Sequence, residues 1–567
     1  MDNQRLLIWA LFAFLAWITY QTWVQDNSPE PVQQAAEQTA DALSAPEAVT
    51  GDEELPSITD SGPADVLPTA PDVAAEPEAT PSAPTITVST DVFDIVISTT
   101  GGTVQGASLR GYPVAKDQPD TLVQLLATEG KDFGLIESGV RAADGAAEAT
   151  HLALFNAAQR SYDMGGSDEL IVPLIWQDES GVVVEKRFHF TRGSYAIGLE
   201  QTVLNGSAAP WRGAEYVRIK RRSAEIERSM FNVDSYSFTG PIVYDGDKSE
   251  KLKRNDLIDD GKHEFSAQQG WFGSIQHHFL SAAVPTPGVD YKYDVAVTGD
   301  VSTSSGIRRS LVSVAPGASE TFTTTLFVGP KLQDQLELVD ESLKLTVDYG
   351  WLTIISQPLF WLLSIVYGFV QNWGVAIIIV TFLIKLAFYK LTEASGRSMA
   401  KMRQIQPRMK ALQERYKDDR QALSQAMMEL YKREKVNPAA GCLPILIQMP
   451  FFLAFYWVLL ESVEMRQAPF ALWITDLSTR DPYFILPLIM GAAMFGQQKL
   501  NPAPADPVQA KVMQIMPIMF TVFFAFFPSG LVLYWVTNTL LSIAQQWNVN
   551  RVVEAESKAQ KGGKKGS

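Results

Sequence analysis

Between Trp351 and Val549 the chain returns repeatedly to nearly charge-free apolar runs, most of them close to the ~20 residues that cross roughly 30 Å of hydrocarbon. A chain with that pattern is built partly for a bilayer, and the rest of its 567 residues must form a large soluble portion. The net charge of −16 argues against a general nucleic-acid binder. The charge is segregated along the chain, however, and the segregation is more informative than the sum. The single cysteine, Cys442, lies within the apolar region, so no intrachain disulfide framework is available.

Residues 1–25 carry Arg5 and then an uncharged run from Leu6 to Val24, with Tyr20 and Trp23 placed like interfacial aromatics. A cleavable signal would have a shorter core and small residues at a cleavage site, so this run is read as a retained transmembrane anchor. Residues 26–84 carry Asp and Glu among Pro, Ala and Thr, with no Lys or Arg. Such a segment cannot bury enough apolar surface to fold, and is expected to be a disordered acidic tether on the non-cytoplasmic side.

From 85 to 340 the texture is β. "ITVSTDVFDIVIST", "GVVVEKRFHF", "AIGLEQTVL", "DYKYDVAVTG" and "ETFTTTLFVG" are β-branched or aromatic runs bounded by Gly, Pro, Asp and Asn, and predict a large antiparallel sandwich. All five histidines fall here. The adjacent His277 and His278 are expected to point to opposite faces of a strand, and no Cys or spaced carboxylate set joins them into a metal site. "RIKRRSAEIER", Arg218 to Arg228, reads as a solvated strand or turn face.

Two apolar runs, Trp351 to Val370 and Trp373 to Leu391, are separated by Gln371 and Asn372. If both crossed the bilayer, the segment 392–440 would lie on the same side as the β domain. That segment is rich in Lys and Arg and belongs in the cytoplasm. Only the second run is therefore read as a span; 341–372 is expected to lie along the outer interface as an amphipathic helix. The segment 392–440 reads as a helical hairpin, with one apolar stripe at Met399, Met402, Ile405, Met409 and Leu412, and another at Leu423, Met427, Leu430 and Tyr431. Spans at 373–391, 442–460, 483–498, 511–527 and 531–549 make a core that, with the anchor, gives six crossings. Both termini then fall inside, and the tail 550–567 is basic.

The chain lacks a glycine-rich phosphate loop, an HExxH motif and any Cys/His metal set, so no cofactor is expected. No histidine in the membrane region could act as base for Ser529, and Lys385 is expected at the opposite end of the bilayer from that serine. The chain is not read as an enzyme. The apolar helices do carry isolated polar groups. Thr381 and Lys385 are four apart on one helix face. Gln448, Gln497 with Gln498, and Asn538 with Gln545 sit on three others. A cation at the bilayer centre costs roughly 2.5–3.5 kcal/mol on insertion scales. Lys385 either snorkels to the inner interface or shares a hydrated pocket with these groups; the recurrence of polar residues on other helices favours the pocket.

"QNWGVAIIIVTFLIK", "SMAKMRQIQPRMKALQERYKDD", "VNPAAGCLPILIQMPFFLAFYWVL", "RQAPFALWITDLSTRDPYFILPLIMG" and "FPSGLVLYWVTN" together resemble the YidC/Oxa/Alb family of membrane protein insertases, over about Asp348 to Trp547. The anchor, tether and β domain resemble the Gram-negative form. The resemblance implies a multi-domain inner-membrane protein: an all-α polytopic core of five helices plus the anchor, six in total, and a periplasmic β-sandwich of the supersandwich kind. It implies insertion and folding of nascent membrane proteins, without nucleotide, through a hydrophilic groove carrying one positive charge, alone or with the Sec translocon. The implied groove residues are Lys385, Thr381, Gln448, Gln498, Asn538, Tyr534 and Trp535. Lys385 stands where most of the family has arginine, Lys390 where proline is frequent, and Trp535 where tyrosine is common. The implied contacts with ribosome and targeting factors involve Arg408, Lys410, Arg415, Lys417 and Asp419 of the hairpin and Lys564 and Lys565 of the tail. The competing class is a polytopic solute transporter or channel, which predicts repeated halves or an acidic coupling residue in a span. Neither is present in the sequence.

Overall fold

A computed structural model describes residues 84–223, 237–416, 419–434, 436, 443–500 and 507–563. The anchor, nearly all of the acidic tether, Cys442, Lys417, Lys564 and Lys565 lie outside the described residues.

Strand alternation builds the first half. In Val182–Thr191 the residues Val182, Val184, Lys186, Phe188 and Phe190 turn inward, and Glu185, Arg187 and His189 turn outward. "ITVSTDVFDIVIST" divides into two antiparallel strands, Thr85–Ser89 and Phe93–Ser98, with Ile86 paired to Ile97. Among the described residues the strands form one sheet of 11 and one of 9. The two share an apolar core that includes Trp211, Trp271, Phe188 and Tyr293. All strand pairings are antiparallel except that of Thr85–Ser89 with the short Ser161–Asp163.

Two expectations for this half are corrected. His277 and His278 form the two-residue turn between strands Trp271–Gln276 and Phe279–Pro285, where Gln276 pairs with Phe279. Their rings stack at 3.7 Å instead of facing apart, because His277 adopts a positive φ of 51° and breaks the alternation. The basic run is largely enclosed where it is described, with only Lys220 and Arg222 partly exposed. Arg218 and Arg221 are buried, since their strand, Trp211–Arg222, lies between Gly134–Ala142 and Val301–Arg308 and is covered on both faces. Arg218 is paired there with Glu137 at 2.5 Å and contacts His151 Nε2 at 2.8 Å. Residues 224–228 of that run are outside the described residues.

The helices are α1 (Arg254–Asp259) and α2 (Gln333–Val339), both short and in the β half, then α3 (Thr353–Val370), α4 (Trp373–Ala387), α5 (Tyr389–Arg415), α6 (Arg420–Arg433), α7 (Leu443–Glu461), α8 (Ile485–Leu500), α9 (Pro507–Phe524) and α10 (Ser529–Gly563). Gln371 closes α3 in the left-handed region, and the Asn372 side chain caps α4 by accepting from Val375 N–H at 3.0 Å. α3 packs on α4 and α7; α10 packs on α4, α5, α7 and α8; α8 packs on α9. One continuous cluster of buried apolar residues runs from the sandwich into these helices.

Among the described residues, α3 alone is by itself long and apolar enough to cross a bilayer by length and composition. α4 and α5 qualify together but are bent by 69°. The run expected to be helical through Leu391 thus stops at Ala387, and the chain turns at Phe388. α10 in turn continues past Val549 to Gly563, so much of the basic tail is helical. The hairpin seam joins Ile405, Met409, Leu430 and Val436 with Met402, Leu412, Met427 and Tyr431.

Candidate functional site

The C-terminal half of α4 places Thr381 and Lys385, one turn apart, on one face, as their spacing requires. That face meets α7 and α10 around a cavity with an empty volume of about 500 Å³, part of it open to solvent. Its lining includes Thr381, Lys385, Phe388 and Thr392 from the bent α4–α5 pair, Gln448 and Phe451 from α7, and Tyr534 and Asn538 from α10. Five of the seven groove residues expected from the sequence are thereby brought together. Among the described residues lining the cavity, Lys385 is the one that carries charge.

The polar groups are oriented by bonds within and between helices. Thr381 Oγ1 donates to Ile377 O at 2.6 Å, so its hydroxyl lies against its own helix. Lys385 Nζ donates to Ser542 Oγ at 2.7 Å, and Ser542 Oγ donates to Asn538 O at 2.7 Å. Gln545 Nε2 reaches Tyr389 O at 3.2 Å and ties α10 to the start of α5, just beyond the bend. Lys385 does not snorkel freely: its ammonium is held against α10. Ser542 is the partner that sequence reasoning missed. The signal in the sequence is the helical spacing of Asn538, Ser542 and Gln545, a polar stripe in which the small serine stands between two amides.

Trp535 and Gln498 stand outside the cavity. Trp535 packs edge-on to Phe452, with ring centroids 4.8 Å apart, and lies 5.3 Å from Phe524. Gln498 Nε2 donates to Met513 O and joins α8 to α9. Lys390 is exposed, past the bend.

On the side of α4's N-terminus the bundle is covered by residues 462–484. Asp481 is buried and accepts from Trp473 Nε1 at 3.1 Å, Tyr483 N at 3.0 Å and Leu486 N at 2.7 Å. Asn372 Nδ2 donates to Phe470 O at 2.8 Å, and Ser529 N donates to Thr479 O at 2.6 Å. Below this knot Tyr534 stacks on Phe455 at 4.4 Å. The loop is thus bonded both to the start of α4, through Asn372, and to the start of α10, through Ser529. In the hairpin, Arg408 pairs with Glu434 at 2.6 Å, Lys410 and Arg415 are exposed, and Asp419 caps α6 through Gln421 N and Ala422 N. Among the described residues no His, Cys, Asp or Glu group is arranged to hold a metal.

The chain matches two families, one described as the YidC periplasmic domain over residues 85–362 and one as the 60Kd inner membrane protein over residues 365–557. A protein of Thioalkalivibrio sulfidiphilus described as Membrane protein insertase YidC is 45% identical over 580 residues, covering 100% of each chain. One of Methylococcus capsulatus with the same description is 46% identical, covering 98% of this chain and 99% of the relative. A crystal structure described as an active YidC insertase with its first transmembrane domain resolved aligns at a TM-score of 0.37 and 18% identity, covering 82% of this chain and 94% of that one.

Proposed function

The chain belongs to the YidC family of membrane protein insertases, and from that premise we propose that the cavity around Lys385 is the groove through which it acts on nascent membrane proteins. The reading rests on one observation: Thr381, Lys385, Gln448, Tyr534 and Asn538, from three helices, line a single cavity holding one cation.

A short polar segment of an entering chain meets Lys385 by charge attraction, which is stronger in a low-dielectric recess than in bulk water. Partial hydration in the groove lowers the cost of moving that segment into the bilayer. The apolar part of the substrate then leaves along helix faces into lipid, and its burial drives the step. An ammonium offers a compact charge without arginine's planar fork, so attraction depends on distance more than on two-point geometry.

Six crossings serve this arrangement: the anchor and the five core spans 373–391, 442–460, 483–498, 511–527 and 531–549. The loop charges support both termini in the cytoplasm. They also assign α3 to the outer interface, although its length would suffice for crossing. The β-sandwich then lies in the periplasm, where it is free to meet the Sec translocon. The hairpin, with Arg408, Lys410, Arg415, Lys417 and Asp419, and the tail, with Lys564 and Lys565, face the ribosome and targeting factors.

The test is insertion of single-span substrates in cells depleted of the native protein. Lys385→Ala is expected to abolish insertion of substrates with acidic tails, and Lys385→Arg to retain it. Unchanged insertion of every substrate by Lys385→Ala sinks the groove reading.

A further inference from the structure

We infer that Ser542 is a positioning residue of this insertase: it holds the Lys385 ammonium inside the cavity, between α4 and α10, where an acidic group of the entering segment can reach it. The inference rests on the groove reading above.

The geometry fixes the direction of both hydrogen bonds. A serine hydroxyl has one proton and two acceptor lone pairs. Ser542 commits its proton to Asn538 O, one turn back on its own helix, at 2.7 Å. Only its lone pairs then face Lys385, whose Nζ lies 2.7 Å away. The ammonium has three donors and no acceptor, so one donor is used and two remain for a carboxylate. Without this partner the flexible four-carbon stem, two residues from the end of α4, would be drawn toward the boundary and the charge would leave the cavity. Asn538 itself lines the cavity, so the serine sets the ammonium at the cavity wall.

A serine that merely fills space between α4 and α10 would act on every substrate alike. A positioning role acts only on those that use the charge. The experiment compares Ser542→Val with Ser542→Thr, nearly equal in size and differing in the hydroxyl. It is run in full-length protein in depleted cells, with two single-span substrates that differ only in having Asp and Glu, or Asn and Gln, in the short exported tail. Ser542→Val is expected to slow insertion of the acidic tail about tenfold, the scale of one hydrogen bond to a charged group, and to leave the neutral tail at the wild-type rate. Ser542→Thr is expected to restore the acidic tail.

Ser542→Val inserting the acidic tail at the wild-type rate overturns the inference. So does equal slowing of both tails by a variant present at normal level in the membrane; Ser542→Ala takes its place if the valine variant is degraded. Lys385→Ala, run alongside, separates the two levels. If it loses the acidic tail while Ser542→Val does not, only the role of Ser542 falls. If it too keeps the acidic tail, the groove reading falls and takes the role of Ser542 with it.

Discussion

At the scale of single residues, the molecule places ionisable groups where hydrophobicity alone would not. Lys385 was legible because a charge in an apolar run stands out. Lys186 was not, although it is fully buried, because "VVVEKRFHF" reads as ordinary alternation whichever face is inside. Its Nζ donates to Gly101 O, Ser138 O and Ser138 Oγ at 2.6 to 2.9 Å, acceptors brought from a turn and a strand distant in the chain. Glu215 is similarly enclosed and takes hydrogen bonds from Tyr291 and Thr324. Burial pushes its carboxyl up to about 7 from 4.5. A folded-state value above the unfolded one means that stability is fully present below about 4.5 and is lost as pH rises through about 7. Glu215→Gln removes that dependence. The difference in unfolding free energy between wild type and variant is expected to change by on the order of 3 kcal/mol between those pH values, read from chemical unfolding in detergent. Parallel curves would refute the assignment.

At the scale of elements, the existence of strands and of a helical hairpin followed from periodicity, and the hairpin seam came almost residue for residue from the methionine and leucine stripes. Helix ends did not follow. The turn at Phe388 interrupts an apolar run with no proline or glycine to announce it, and α10 continues where charge pointed to a separate tail. Close approach of helices was equally hidden. A Cβ at Gly491 would lie 2.0 Å from Thr521 Oγ1, a hydroxyl that donates to Pro517 O at 2.7 Å, so α8 meets α9 through a missing side chain. Gly491→Ala is therefore expected to cost about 1–3 kcal/mol by overpacking. Thr521→Ala in the same chain should recover much of it, because the obstructing hydroxyl is gone. Melting of the single and double variants in nanodiscs checks this; equal melting of Gly491→Ala and wild type would refute it.

At the scale of the whole molecule, the sandwich and the helices are joined by more than a linker. Lys331 Nζ pairs with Glu461 Oε2 at 3.2 Å, with side chains 1% and 7% exposed. The carboxylate stands at the end of α7, the helix that brings Gln448 to the cavity. Around the pair, His277 Nε2 contacts Leu460 O at 2.9 Å, Tyr349 OH contacts Ser462 Oγ at 3.3 Å, and Arg466 Nη2 donates to Pro113 O at 2.8 Å. Removing one partner leaves a buried charge uncompensated. Glu461→Gln is expected to destabilise the junction by about 3–5 kcal/mol, and Lys331→Met added to it to restore most of the loss. Protease resistance of the full chain around residues 331–349 measures both; an unaltered Glu461→Gln pattern would show that the pair does not hold the junction.

Local chemistry is legible in the chain without its fold: which runs alternate as strands, which are apolar, which carry a helical stripe, and which lysine stands out in an apolar run. These depend on residues near one another in the chain. Long-range packing sets the rest: Lys385 meets Ser542 from a helix more than 150 positions away, Trp535 turns to Phe452 and Phe524 instead of the cavity, and Lys331 finds Glu461. Each choice depends on which helix faces come together. Their polar and aromatic side chains admit several partners of comparable energy until packing selects one.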